Sequence, residues 1–495
     1  MSSPRPSAVV VLAAGEGTRM RSALPKVLHP LAGRSLLGHA VVAARGVDPE
    51  HLVVVVRHEG ERVAAHAREL DPGVLVAEQD EVPGTGRAVV CALAALREAG
   101  VEPAGTLVVT CGDVPLLEAA TLRELVAAHE GGQNAVTVLT AVLEDATGYG
   151  RVLRGPDGGV ERIVEQKDAT ADERAVTEVN SGVYAFDAAV LASALERVGR
   201  DNAQGEVYLT DVLGIARADG LAVAGLPVAD VAQTEGVNDR VQLARAGAEL
   251  NRRLLVRWMR AGTTVVDPAT TWVDVDVELA QDVRLEPGVQ LLGGTRVGAG
   301  AVVGPDSTLR DCAVGAGASV VRTHGTGAEV GEGASVGPFS FLRPGTSLGR
   351  DGRIGAYVET KNASIGRGSK VPHLTYVGDA EIGEGTNIGA ATIFVNYDGV
   401  AKHRSRVGDH VRIGSDTMLV APVEVGDGAY TAAGSVIDQD VPPGAIAVAR
   451  ARQRVVEGWV ERRRAGSPSA LAAARARGAQ DTPTTTHGDT SGDAR

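Results

Sequence analysis

After residue 262 an aliphatic residue returns at every sixth position, usually followed by glycine. The run reads VGAGAV (297–302), VGPDST (303–308), VGEGAS (330–335), VGPFSF (336–341), LRPGTS (342–347), LGRDGR (348–353) and IGAYVE (354–359). It continues as IGRGSK (365–370), VPHLTY (371–376), IGEGTN (382–387), VGDHVR (407–412), IGSDTM (413–418), LVAPVE (419–424) and VGDGAY (425–430). A fixed short period of this kind specifies a solenoid of parallel strands. Each hexapeptide forms one side of a triangular coil and points one aliphatic residue at the axis. A Gly-rich low-complexity stretch would not hold its phase over so many units. The phase fails at 394–406, where a loop is expected to project from the coil and pack on a neighbouring solenoid.

The first 240 residues follow another grammar. AVVVLAAG (8–15), HLVVVV (51–56) and TLVVTCGD (106–113) read as buried parallel strands. Helical patterns separate them, as in RSLLGHAVVAAR (34–45) and TLRELVAAHE (121–130). This is an α/β sheet with helices on both faces, whose ligands bind beyond the carboxyl ends of the strands. The loops to watch are therefore 12–28, 79–88 and 110–116. A chain of 495 residues exceeds one ordinary core. The expected division is a nucleotide-binding domain (1–237), a linker helix (238–262), the solenoid (263–450), a short segment (451–463) and a tail (464–495) expected to be disordered. A net charge of −13 argues against general nucleic-acid binding. Cys91, Cys111 and Cys312 show neither zinc nor disulfide spacing, and no stretch approaches 18 apolar residues. A cytoplasmic protein is expected, with no membrane partner.

The loop LAAGEGTRMRSALPKVL (12–28) leaves the first strand with glycines at 15 and 17, so its backbone N–H groups can approach phosphate. Arg19 and Lys26 add cations. The Gly-Lys-Ser/Thr ending of a P-loop is missing, and two glycines alone would describe an ordinary exposed turn.

The ordered set decides. LAAGEGTRM, PKVL, Gln79 with GTGRA (84–88), CGDVPLL (111–117), TGYGRV (147–152), IVEQKDA (163–169), EVNSGVYAF (178–186), NAQGEVYLTD (202–211) and EGVNDR (235–240) follow one another. Over about residues 8–460 the chain resembles the bacterial bifunctional N-acetylglucosamine-1-phosphate uridyltransferase/glucosamine-1-phosphate N-acetyltransferase family. The resemblance implies a Rossmann-like nucleotidyltransferase domain followed by a left-handed parallel β-helix. It implies that Leu12, Ala13, Ala14, Gly15, Gln79, Gly84 and Thr85 hold uridine and that Arg19 and Lys26 serve the UTP phosphates in catalysis. Gly150, Glu165, Asn180 and Thr210 would line the sugar pocket, and Asp113 and Asn238 would carry Mg²⁺. The phosphate nucleophile is already ionised, so alignment and charge screening suffice, without a general base. Arg87 and Cys111 stand where the family commonly has histidine and tyrosine or serine.

On the solenoid, Arg343 and Lys361 are 18 residues apart and stack as two cations for one phosphate. His373 is the natural general base for a sugar amine attacking a thioester, because an imidazole can be neutral near pH 7. The family match adds Tyr376, Asn387, Ala390, Asn396, Tyr397 and Lys402 to that pocket, and Ser415, Ala433 and Arg450 as acetyl-CoA contacts. Thr360 and Asn362 differ from better-known members. The resemblance also implies a homotrimer with sites between subunits, and Trp459 either completes a neighbour's site or packs on its own last coil. Two rivals stand beside this reading. A single-function pyrophosphorylase is disfavoured by Arg343, Lys361 and His373; an inactive regulatory protein is disfavoured by Arg19, Lys26 and Asp113.

Overall fold

The computed structural model describes residues 5–480. Its first part is built on one sheet. The strands run across it in the order Val223–Pro227, Val136–Val142, Glu178–Asp187, Thr106–Cys111, Ala8–Leu12, His51–Val56 and Leu75–Glu78. Along this path all neighbours are parallel except Glu178–Asp187, which runs antiparallel to the strand on each side, and the antiparallel pair Arg151–Arg154/Val160–Val164 joins its Val179 end. The apolar runs are continuous because both faces are covered. Val10, Val55, Leu107 and Phe186 pack on one side with Val89, Leu93, Leu96 and Leu213. Val9, Val11, Val54 and Val108 pack on the other with Leu37, Val41, Leu122 and Leu125.

The helix Arg240–Arg260 follows, capped by Asp239, whose carboxylate accepts from the N–H groups of Val241 (2.9 Å) and Gln242 (2.8 Å). Leu254 and Leu255 at its far end join the solenoid core. A second link is the hairpin Pro30–Leu31/Arg34–Ser35. Ala32 accepts from the Val275 N–H (3.0 Å), and Arg34 pairs with Asp276 (2.7 Å).

From Thr264 onward short parallel strands wind into a β-helix with three faces. Inward side chains form a single axial core, including Leu285, Val303, Val320, Ile354, Val371, Leu419 and the aromatic Phe394, and longer strands such as Tyr376–Ile382 contribute several. The stacking offset is not constant. Leu342 pairs with Thr360, Arg353 with Lys370 and Ala380 with Ser405. The last, larger step holds the inserted loop. Phe394 and Val395 still belong to a strand and regular pairing resumes at Ser405, so the break is shorter than 394–406.

Disorder is not what the structure gives for the start of the tail. Pro468–Gln480 is a helix. Its alanines favour helix, Pro468 suits the first turn, and Ser467 Oγ accepts from the Ala470 N–H (3.2 Å). Arg477 pairs with Glu461 of the preceding helix Trp459–Arg463. Residues 481–495, the rest of that expected tail, lie outside the described residues.

Candidate active sites

The first site lies at the carboxyl end of Ala8–Leu12. The Gly112 N–H binds Leu12 O (2.8 Å) and the Ala13 N–H binds Val55 O (2.8 Å), which draws three strand ends together. They open into a cavity of about 310 Å³ lined by Leu12, Ala13, Ala14, Gly15, Lys26, Gln79, Gly84, Thr85, Cys111 and Asp113. Two glycines are required by their surroundings. A Cβ on Gly17 (φ 66°) would lie 2.5 Å from Lys26 Cβ, and one on Gly84 (φ 121°) would lie 2.2 Å from Val207 O. Gln79 donates from Nε2 to Val82 O (2.9 Å) and Gly84 O (3.2 Å), so its Oε1 stays free to accept.

Lys26, Asp113 and Asn238 meet at one end of this cavity. The Lys26 ammonium pairs with the Asp113 carboxylate and donates to Asn238 Oδ1 (3.3 Å). The Val237 N–H binds Asp113 O (2.8 Å), so the start of the linker helix brings Asn238 to the site. Arg19 is not among the wall residues; it stands exposed on the short turn Thr18–Met20. Arg87 also lies outside the wall and pairs with Asp80. Cys111 is in the wall, its Sγ 3.7 Å from Gly182 O, and burial, then the Asp113 charge, pushes its thiol up to about 12.

Gly150, Glu165, Asn180 and Thr210 gather beside it. The Asn180 N–H binds Gly150 O (2.9 Å), and a Cβ on Gly150 would lie 3.3 Å from Glu165 Oε1. The buried Thr210 hydroxyl lies beside Glu165 without a well-formed hydrogen bond. Burial, then Asp168, raises the Glu165 carboxyl. Arg57, His58 and Glu206 also line the cavity without having been assigned a role from the sequence; Glu206 lies inside the motif 202–211, whereas Arg57 and His58 follow the strand His51–Val56 outside every motif.

On the solenoid the expected residues fall on two edges of the prism. One edge carries a column. The Ala391 N–H binds His373 O (3.3 Å), the Asp416 N–H binds Ala390 O (2.7 Å), and the Gly434 N–H binds Ser415 O (2.9 Å). His373, Ala390, Ser415 and Ala433 thus occupy the same turn of successive coils, and a Cβ on Gly434 would lie 3.8 Å from Arg450 Cδ. Apart from His373 and Arg450, the column is made of small side chains.

The next edge carries the cations. The Arg343 N–H binds Thr360 O (2.9 Å), which seats Arg343 against Lys361, and Lys361 pairs in turn with Gly378. Arg343 also bonds Glu359 (2.9 Å). Lys402 comes from the inserted loop, closed by a bridge between Tyr397 and Lys402. Its amine meets Lys361 of the same chain and, with Arg343, lowers the Lys361 ammonium. The loop was expected to turn away from its own coil, and this contact is the difference. Asn396 Nδ2 lies 3.4 Å from the Tyr376 hydroxyl. Asn387 pairs with Lys370 and belongs to neither edge. Trp459 is 47% exposed.

Residues 9–177 match the family described as MobA-like NTP transferase domain, and residues 404–439 match bacterial transferase hexapeptide (six repeats). The chain is similar over nearly its whole length to proteins named bifunctional protein GlmU. That of Kineococcus radiotolerans is 66% identical over 472 residues, 95% of each chain. That of Streptomyces avermitilis is 61% identical over 96% of this chain and 98% of its own. That of Mycolicibacterium vanbaalenii is 59% identical over 94% and 95%.

Proposed function

The chain belongs to the bifunctional GlmU family, and from that premise we propose how its residues divide two transfer reactions. The enzyme makes UDP-N-acetylglucosamine for cell-wall synthesis, as a glucosamine-1-phosphate acetyltransferase and an N-acetylglucosamine-1-phosphate uridyltransferase.

In uridylyl transfer a phosphate oxygen of the sugar phosphate attacks the α-phosphorus of UTP and pyrophosphate leaves. Gln79 Oε1 accepts from the uracil imide, and Ala13, Ala14 and Gly15 offer backbone to the nucleotide. Lys26 leaves Asp113 for the triphosphate, assisted by Arg19 once the loop closes. Glu165, Asn180, Gly150 and Thr210 orient N-acetylglucosamine. The reaction needs a divalent metal; Asp113 and Asn238 offer one carboxylate and one amide oxygen, hard donors suited to Mg²⁺. Among the described residues no three His, Cys, Asp or Glu side chains gather to hold a metal, so a cation here would complete its shell with phosphate oxygens and water. Bound there, it neutralises charge on the triphosphate.

In acetyl transfer the phosphate of glucosamine-1-phosphate rests on Arg343, Lys361 and Lys402. The chain turns at Leu374 (φ 49°) and then runs extended from Tyr376 along one face of the coil, which separates His373 from the cation edge. Two long side chains and a hexose phosphate span that gap. The sugar then lies along Tyr376 with its amine toward His373, which takes a proton as nitrogen attacks the thioester carbonyl and CoA thiolate leaves. The small-residue column through Ala390, Ser415 and Ala433 gives the pantetheine arm a path to Arg450. Asn387 reaches such a site from a neighbouring copy, which favours a closed homotrimer. The exposed Phe339, Tyr357 and Leu374 favour it too. Use of UTP and acetyl-CoA favours a cytoplasmic location.

The convergence of Lys26, Asp113 and Asn238 carries the assignment of the first site. Product analysis with UTP, acetyl-CoA and glucosamine-1-phosphate tests it. Asp113→Ala is expected to abolish pyrophosphate release and leave acetyl transfer near wild type; equal loss of both would refute two separate sites.

A further inference from the structure

The cation edge contains one anion that the sequence motifs did not single out. Asp379 sits at the turn after Gly378, half-buried, with φ 50°. Its Oδ1 accepts from Asn362 Nδ2 (3.0 Å) and its Oδ2 from Asn396 Nδ2 (2.5 Å). That same Nδ2 lies 3.4 Å from the Tyr376 hydroxyl oxygen. Asn396 is 8% exposed, so its amide has little water to compete for it.

These contacts fix hydrogen-bond polarity. A carboxylate accepts only, so it holds the NH₂ end of Asn396 inward and turns Oδ1 outward as an acceptor. The phenol oxygen, approached by the same NH₂ group, keeps its own hydrogen free to donate. We propose that Asp379 is a positioning residue of acetyl transfer, orienting Asn396 and Tyr376 toward the bound amino sugar and balancing the charge of Lys361 and Lys402. This rests on the reading that the sugar phosphate occupies the Arg343, Lys361 and Lys402 edge.

The charge balance follows from what surrounds Lys361. Arg343 with its partner Glu359 comes from the preceding coil and the same strand, Lys402 from the loop, and Asp379 from the next coil. The loop's Asp398 and His403 satisfy each other at 2.7 Å. Lys402 and Arg343 lower the Lys361 ammonium and Asp379 opposes them. Burial would raise the Asp379 carboxyl, but Asn362 and Asn396, then Lys361 and Lys402, hold it below the usual range. Without Asp379 the Lys361 ammonium loses its proton at lower pH.

The left-handed backbone suits glycine and asparagine, so Asp379→Gly and Asp379→Asn remove the group without adding strain. Acetyl transfer is measured by CoA release against glucosamine-1-phosphate concentration and pH, with Lys361→Ala alongside. Asp379→Gly is expected to lower kcat on the order of ten- to hundredfold, the loss of a hydrogen bond to a charged group, without raising KM for the phosphosugar. Asp379→Asn, still an acceptor for Asn396, recovers most of kcat. Both move the alkaline limb of kcat/KM to lower pH. Wild-type kcat in folded Asp379→Gly overturns the proposal. If that variant does not fold, Asp379→Asn decides: an alkaline limb coinciding with wild type overturns it. Lys361→Ala separates the underlying reading, because an unchanged KM in that variant removes the phosphate from this edge whatever Asp379 does.

Discussion

The side chain of Lys26, proposed above to serve the triphosphate, is held by a chain of small necessities. Gly17 has no side chain where Lys26 passes, and Asp113 and Asn238 hold the ammonium in place until a substrate competes for it. Cys111, at the end of the strand Thr106–Cys111, lines the same cavity. The residue is half-buried in the cavity wall, and desolvation of its thiol, then the Asp113 charge, pushes it up to about 12, so thiolate is scarce at pH 8. Iodoacetamide at pH 8 is therefore expected to leave Cys111 unmodified in the native enzyme and to label it after denaturation; peptide mass mapping reads the difference. Rapid native labelling would mean that the wall opens to solvent. The residue types at both sites were legible in the motifs. Asp379 was not, because a single aspartate at a turn looks like any other turn residue until Asn362 and Asn396 are folded onto it.

At the scale of elements, the solenoid strands line one continuous axial core with their inward side chains. Phe394 is fully buried in the strand just before the inserted loop that carries Tyr397 and Lys402. Phe394→Ala should cost about 3–5 kcal/mol, the usual range for deleting a buried aromatic. Acetyltransferase activity is expected to be lost at a lower temperature, while the thermal loss of uridyltransferase activity stays put, since that domain has its own two-sided core. A parallel shift of both midpoints would mean that the domains unfold as one. Hexapeptide phase foretold the strands, but coil length varies between successive turns. Only pairing shows that Arg343 faces Lys361 and that Lys402 returns to its own chain. The helix Pro468–Gln480 escaped an argument based on aliphatic period, because alanine propensity and a serine cap stabilise it instead.

For the whole molecule, Asn387 lies against Lys370 on the strand beside Lys370–His373 and not on the edge that carries His373. If neighbouring copies share the site, mixing His373→Ala chains with Asn387→Ala chains restores part of the acetyl transfer that each lacks alone. Lys402 belongs with Lys361 in cis, so Lys402→Ala chains should not be rescued by Lys361→Ala chains. Dilution should abolish acetylation before uridylyl transfer. Full acetyltransferase activity in a species that light scattering shows to be monomeric would refute the shared site. The sequence by itself determined two architectures in tandem, because backbone periodicity and burial are local consequences of residue order. It also marked the glycine-bearing loop 12–28 and the cations, whose chemistry is carried by residue type. The tertiary structure decided which of these meet. Lys26 and Asn238 lie far apart in the chain and join only when the linker helix starts against Asp113. The edge occupied by His373 rather than by Lys361 depends on the cumulative length of every coil before it. Contacts of that range are set by the closure of the fold, and no local window of sequence contains them.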